Sequence, residues 1–270
     1  MTTNPSNSPL FATVGDNCVD RYMPLGKCAI GGNALNVAVQ LARAGEQCAY
    51  FGAVGRDEAG DWTRNELARN GVNLGHFQVL DAPTAFTNLD VDEAGERIIA
   101  FEEFGACALY QPSDDDISAL RNVDHIHVGW FKGAEALRVR LAGIGVTFSQ
   151  DVAVNPECQG LDVAFESVGA SEEAALQALD RLLAAGARVA VVTCGSMGSM
   201  ASDGNGVVRT GIRPIQVVET TGAGDTFIAG FLSSWKRRAN LQTCIEAGRD
   251  AAAETCTHVG GFPQVLRDIN

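Results

Sequence analysis

Several things are scarce in this sequence, and each scarcity removes a class of function. No uninterrupted apolar run approaches the roughly 18 residues that a bilayer-spanning helix needs. The opening segment MTTNPSNSPL has neither the basic start nor the apolar stretch of a secretory signal, so a cytoplasmic location is expected. Basic residues are outnumbered, 20 Lys and Arg against 33 Asp and Glu, for a net charge of −13. That sign argues against gripping a phosphate backbone or an anionic membrane surface, and no nucleic-acid or membrane partner is expected. Cysteines are present, but none forms a CxxC pair or a tight Cys/His cluster. Cys18, Cys28, Cys48, Cys107, Cys158, Cys194, Cys244 and Cys256 read as ordinary reduced thiols. Also missing are the GxxxxGK[ST] cradle, a strand-anchored GxGxxG and the protein-kinase signatures.

What remains is a 270-residue chain with 46% hydrophobic and 20% charged residues, the balance of a globular protein with a sizeable core. Short apolar runs rich in β-branched residues alternate with helical patterns, the mark of parallel strands joined by crossover helices. Strands are expected at Phe11–Val14, Cys48–Val54, His125–Val128, Val146–Phe148, Val163–Phe165, Val189–Thr193 and Ile215–Val218. Helices are expected at Ala34–Ala44, Trp62–Arg69, Glu173–Leu183 and Thr226–Trp235, the first three each followed by a glycine suited to a C-terminal cap. The expected fold is α/β, a mostly parallel sheet covered by helices. Residues 84–103 break the rhythm and read as a hairpin turning at DEAGE. With DRYMPLGKCAI it would form a small β lid over the end of the sheet, from elements near 18–30 and 84–104.

Two constellations carry the chemistry. In ETTGAGDTFIAGF, residues 219–231, the apolar segment after Thr226 predicts a buried helix with a rigidly held start. The backbone N–H groups of Gly222, Ala223 and Gly224 there form a site for an anion such as a phosphate. Asp225 is either a favourable charge in the first helical turn or a proton acceptor beside that anion site. In GGNALNVAVQLARAG, residues 31–45, Gly31 and Gly32 permit close backbone approach, and Asn33 and Asn36 supply amide donors and acceptors suited to a polyhydroxyl ligand. His125 and His127 point to one side of a strand and read either as a metal pair or as packed, hydrogen-bonded residues; His127 and Trp130 could touch a substrate at the strand's carboxyl end.

GGNALNVAVQLARAG, then GAVGRDEAG, VVTCGSMGS and ETTGAGDTFIAGF, in this order and spacing, resemble the ribokinase-like (PfkB) family of carbohydrate kinases. The likeness runs from about Phe11 to Gly261, and TVGDNCVDRY with GGNALNVAV resembles the branch that acts on fructosamines such as fructoselysine. It implies a three-layer α/β/α sandwich with a β-sheet lid, and a kinase that uses ATP and Mg2+, with K+ a further candidate cation, to phosphorylate a small-molecule sugar. It implies a general base at Asp225 and an anion hole at Gly222, Ala223 and Gly224. Sugar contacts would come from Asp20, Gly31, Gly32, Asn33 and Asn36, with Asp16 and Asn17 nearby. Thr193, Gly195, Gly198 and Thr220 would line the nucleotide, and paired lids could make a homodimer.

Two departures stand out. Where the family shows N-x-x-E for magnesium, this chain has Ser167 in the asparagine place, and Glu172 and Glu173 become the candidate metal ligands. The acid opening the GAGD segment is Glu219 rather than aspartate, which bears on any monovalent-cation site. Two rivals remain open at this point: a catalytically silent sensor of the same ligands, and a nicotinamide dehydrogenase. The latter lacks its glycine fingerprint where GDNCVD stands.

Overall fold

The computed structural model describes residues 10–91 and 97–269. The expected hairpin turn at 92–96 and the opening residues 1–9 lie outside the described residues. In chain order the first elements are β1 (Leu10–Val14), β2 (Cys18–Tyr22), β3 (Lys27–Gly31), α1 (Asn33–Arg43), β4 (Gln47–Gly55), α2 (Glu58–Arg69) and β5 (Phe77–Leu80). Next come β6 (Phe86–Val91), β7 (Arg97–Glu103), α3 (Gly105–Leu109), α4 (Asp114–Leu120), β8 (His125–Val128), α5 (Ala134–Arg140) and β9 (Thr147–Asp151). The last are β10 (Val163–Ser167), α6 (Glu172–Ala184), β11 (Val189–Thr193), β12 (Ser199–Ser202), β13 (Val207–Thr210), α7 (Ala223–Lys236), α8 (Leu241–Thr255) and β14 (Arg267–Asp268).

Nine strands form the main sheet in the order β13-β12-β11-β10-β9-β8-β1-β4-β5. Pairing is parallel from β5 to β11 and antiparallel through β12 and β13. Alternation along β1 shows the layering. Phe11 packs with Val37, Phe227 and Ile245 of α1, α7 and α8. Ala12 packs with Leu120, Leu137 and Leu179 of α4, α5 and α6 on the opposite face. Truncating fully buried Phe231, whose ring meets Phe165 edge-on at 5.3 Å, would cost about 3–5 kcal/mol.

The expected helices and all but one of the expected strands are present, with ends moved by a few residues. The exception is Ile215–Val218, which forms no strand: residues 211–217 take no regular structure, and Val217 and Val218 are exposed. The sheet edge is taken by the β12–β13 hairpin, turning through Asp203-Gly204-Asn205-Gly206, so IQVV has no strand to pair with.

A second sheet, β14-β3-β2-β6-β7, supplies the expected small β element. The chain leaves β1 for β2 and β3 and returns through Gly32 into α1, which sets this sheet beside the carboxyl end of β1. Gly32, at φ +110°, is where backbone meets backbone: a Cβ there would lie 2.5 Å from Asn17 Cα. Its far edge is closed by β14 and by Gln264, whose side chain bonds both the N–H and the C=O of Ile30 at 2.7 and 2.8 Å. All eight cysteines are free, and none of the described helices is long and apolar enough to cross a membrane.

Candidate active site

Parallel strands send their carboxyl ends to one edge of the sheet, where α/β proteins bind ligands. Asp16 follows β1, Trp130 follows β8, and Asp151, Ser167 and Thr193 end β9, β10 and β11. The glycine-rich starts of α1 and α7 meet at this edge.

Asp225 lies in the first turn of α7, but no side chain caps that helix. Its carboxylate instead accepts from Asn33 Nδ2 at Oδ1 and from Asn36 Nδ2 at Oδ2, each at 2.7 Å. The residue that caps α7 is Gly222, at φ +73°, where an added Cβ would collide with Gly261 Cα. Only glycine fits there, so the loop at 260–261 locks the start of the helix. The Ala223 N–H donates to the Thr220 carbonyl at 3.2 Å.

The other acceptor-side residues divide by what their polar atoms already hold. Asp16 accepts from the backbone N–H groups of Asn33, Ala34 and Trp130 at 2.7, 3.2 and 2.9 Å, which pins the start of α1 to the sheet. Asn17 is buried and donates to the Tyr50 hydroxyl at 2.9 Å and the Ala53 carbonyl at 2.8 Å, so its amide is a strut. Asp20, on β2, lies over Gly31 and accepts from Cys18 Sγ at 3.1 Å. Phe104, just past β7, stacks on Trp130 with ring centroids 4.1 Å apart, joining the small sheet to the main one.

Gathering acids in one place shifts their proton affinities. Burial raises the Asp225 carboxyl to about 8, with the Asp151 and Asp16 charges adding to it and the Asn36 and Asn33 donors opposing it. Burial, with the charges of Asp16 and Glu166, raises Asp151 to about 6. Asp16 is raised by burial against the three N–H groups it accepts from. A carboxylate with affinity near neutrality suits proton acceptance at cellular pH.

On the opposite side of this edge, Thr193 closes β11 and its hydroxyl lies 2.7 Å from Ser167 Oγ. The following turn carries Gly195 at φ +51° and Gly198 at φ +91°, and closes through Cys194 N–H on the Gly198 carbonyl at 2.8 Å. Glu172 and Glu173 sit exposed in the first turn of α6, where they favour the helix dipole. Glu172 pairs with Arg209 at 3.4 Å and Glu173 accepts from Gln177 at 3.3 Å. This donor set does not fit a dedicated magnesium cage, and among the described residues no three His, Cys, Asp or Glu gather to hold a metal. Glu219 accepts from the Thr221 N–H at 2.6 Å and the Gly260 N–H at 3.3 Å, tying the loop before α7 to the loop that locks it.

Sequence reasoning passed over Asp151. An acid ending a buried parallel strand is the signal that could have found it, since such positions face the ligand edge. Its Oδ2 lies 3.5 Å from Asn33 Nδ2, so Asn33 stands between two carboxylates. His125 and His127 are fully buried and hydrogen-bonded rather than a metal pair.

The sequence pattern of the pfkB family of carbohydrate kinases matches residues 15–135 and 155–265. The chain is 34% identical over 259 residues to the fructoselysine 6-kinase of Escherichia coli, covering 93% of this chain and 99% of that one. It is 30% identical over 272 residues to a fructosamine kinase of Bacillus subtilis, covering 94% and 95%. Its fold matches a ribokinase of Arabidopsis thaliana solved with ribose and ATP, with a TM-score of 0.82 at 22% identity over 94% of each chain.

Proposed function

The chain belongs to the pfkB family of carbohydrate kinases, and from that premise we propose that it transfers the γ-phosphoryl group of ATP to the 6-hydroxyl of a fructosamine such as fructoselysine. It is a phosphotransferase acting on a sugar hydroxyl. The observation that carries the mechanism is the Asp225 carboxylate, held by two asparagine amides at the start of α7.

The acceptor sugar lies against Asp20, Gly31, Gly32, Asn33 and Asn36, with its primary hydroxyl beside Asp225. Asp225 takes the hydroxyl proton as the sugar oxygen bonds to the γ-phosphorus. The bond from that phosphorus to the bridging oxygen breaks, and ADP leaves with the electron pair. The Gly222 and Gly224 N–H groups, with that of Ala223 once its turn opens, neutralise the oxygens of the migrating group. Thr193, Gly195, Gly198 and Thr220 track the nucleotide phosphates. The small sheet closes over the sugar and excludes the water that would otherwise hydrolyse ATP. Asp16 and Asn17 act by holding the pocket's frame. Exposed Ile99 and Phe101 on β7, 60% and 50% accessible, support pairing of two copies through this sheet, which the sedimentation of a Phe101→Asp variant tests.

ADP release measured over fructoselysine, fructose, ribose and a nucleoside, with magnesium and potassium varied, tests the substrate reading. The highest kcat/KM is expected on fructoselysine. A preference for ribose or the nucleoside would sink the fructosamine assignment.

A further inference from the structure

Two buried histidines have no part in the chemistry above. His125 and His127 lie on β8, with Thr147 and Ser149 directly opposite on β9. His125 sits between the rings of Phe11 and Trp235, 5.9 and 5.7 Å away, and His127 meets Phe165 at 6.5 Å. Burial holds both imidazoles neutral: it lowers His127 to about 3, and lowers His125 well below the usual range with the help of the Lys236 charge and His127.

Proton accounting then fixes the direction of every bond. Asn33 Nδ2 faces Asp225 Oδ1 at 2.7 Å and Asp151 Oδ2 at 3.5 Å, and above about pH 8, where both carboxyls are ionised, only the NH2 end of an amide can face them. Asn33 Oδ1 is therefore the end that faces His127 Nε2, at 3.4 Å, which makes Nε2 the protonated nitrogen. In a neutral ring Nδ1 is then an acceptor, so the Ser149 hydroxyl 2.9 Å away donates to it. Ser149 Oγ in turn accepts from His125 Nε2 at 2.8 Å, and His125 Nδ1 accepts from the Thr147 hydroxyl at 2.8 Å. Thr147 Oγ1 also lies 2.9 Å from the Asp124 carbonyl, but its one proton is spent on His125. Lys236 Nζ supplies both groups, 2.9 Å from that carbonyl and 3.2 Å from Thr147 Oγ1. The donors point one way throughout, from Lys236 in the last turn of α7 to Asp225 in its first.

We propose that His127, backed by Ser149 and His125, is a positioning residue for phosphoryl transfer: it fixes the Asn33 amide so that an N–H, and not a carbonyl oxygen, meets the catalytic base. This rests on the reading of Asp225 as that base. The chain orients and does not relay, since an amide passes no proton along it. Reversing it would turn Asn33 Oδ1 toward Asp225 and require a protonated carboxyl. The groups facing Asp225 are Asn33 and Asn36 from α1, Asp16 from the loop after β1 and Asp151 from β9. Lys236 is the charge facing His125.

Nitrogen NMR of the full chain with 15N-labelled histidine reads the tautomers without any variant. At about pH 9, where Asp225 is ionised, His125 and His127 are expected neutral with the proton on Nε2, and a proton on His127 Nδ1 there would overturn the proposal. His127→Phe is expected to lower kcat by about tenfold or more, as loss of a residue that orients a reacting group does, with KM for ATP unchanged. The acidic limb of its kcat profile moves to higher pH, because Asp225 loses a donor that favours its ionised form. His127→Gln, whose amide can donate to Asn33, is expected to recover part of both effects. A lower Tm with kcat and the acidic limb unmoved in both variants would reduce His127 to packing and overturn the proposal. The base reading fails separately: if Asp225→Asn turned over normally, Asp225 would not be the base whatever the histidines do.

Discussion

On the acceptor side of the site, Asn33, Asn36 and Asp225 are tied together by bonds of 2.7 Å and braced from behind by Asp16 and His127. On the nucleotide side, Gly195 and Gly198 belong to a single short turn, and the 211–218 loop and the first turn of α6 are largely exposed. One half is tied together by its own side chains; the other is an open turn and an exposed loop. A base must sit within a fraction of an ångström of its proton, whereas a polyphosphate is held by many weak N–H contacts that tolerate displacement. Substitutions on the two sides should therefore act on different kinetic constants.

The sharpest way to break this contrast is Asp225→Asn. It should lower kcat by about 10²–10⁴-fold, the range for a positioned acid–base group, and leave the Kd for ATP within a factor of about three, read by isothermal titration. Next comes Gly222→Ala. It imposes a left-handed conformation on a residue with a Cβ and a clash with Gly261, so unfolding free energy should fall by at least about 1–2 kcal/mol, measured by urea titration, with activity falling in step. On the nucleotide side, Thr193→Val should raise KM for ATP severalfold and leave KM for the sugar unchanged; an equal rise in both would erase the contrast. The acid limb of kcat/KM should rise through about pH 8, following ionisation of Asp225.

The smallest effect is on stability. Asp225 binds its proton more tightly folded than unfolded, so the folded chain keeps it while the unfolded chain releases it. Stability contributed this way is present in acid and declines as pH rises from about 4 to about 8. Asp225→Asn should therefore melt a few degrees above the parent at pH 8, with the gap closing toward pH 4, read by differential scanning calorimetry.

Much of the frame was legible because periodicity reports burial. β-branched runs such as VAVVT marked central parallel strands, and glycine marked the ends of α1, α2 and α6. The β12–β13 hairpin was missed although DGNG announces its turn, and IQVV was misread because apolar character does not say whether a neighbouring strand is free to pair. At the site, GGNALN and GAGD could be found because each is contiguous. Asp151, Ser149 and Thr147 could not, since their importance lies in the register that sets His125 against Thr147 and His127 against Ser149. Register between strands joined by a helix is decided by tertiary packing. Asp16 and Asn17 were expected near the sugar, but the Asp16 carboxylate and the Asn17 amide nitrogen are engaged by the protein itself.

The short strand β14 reaches back to β3 across 241 positions of chain, from Asp268 to Lys27. A ribosome releases those residues long after β2 and β3 have emerged, so a nascent copy holds Asp20 on a ribbon with one raw rim. Sealing that rim is a late event in the birth of each molecule.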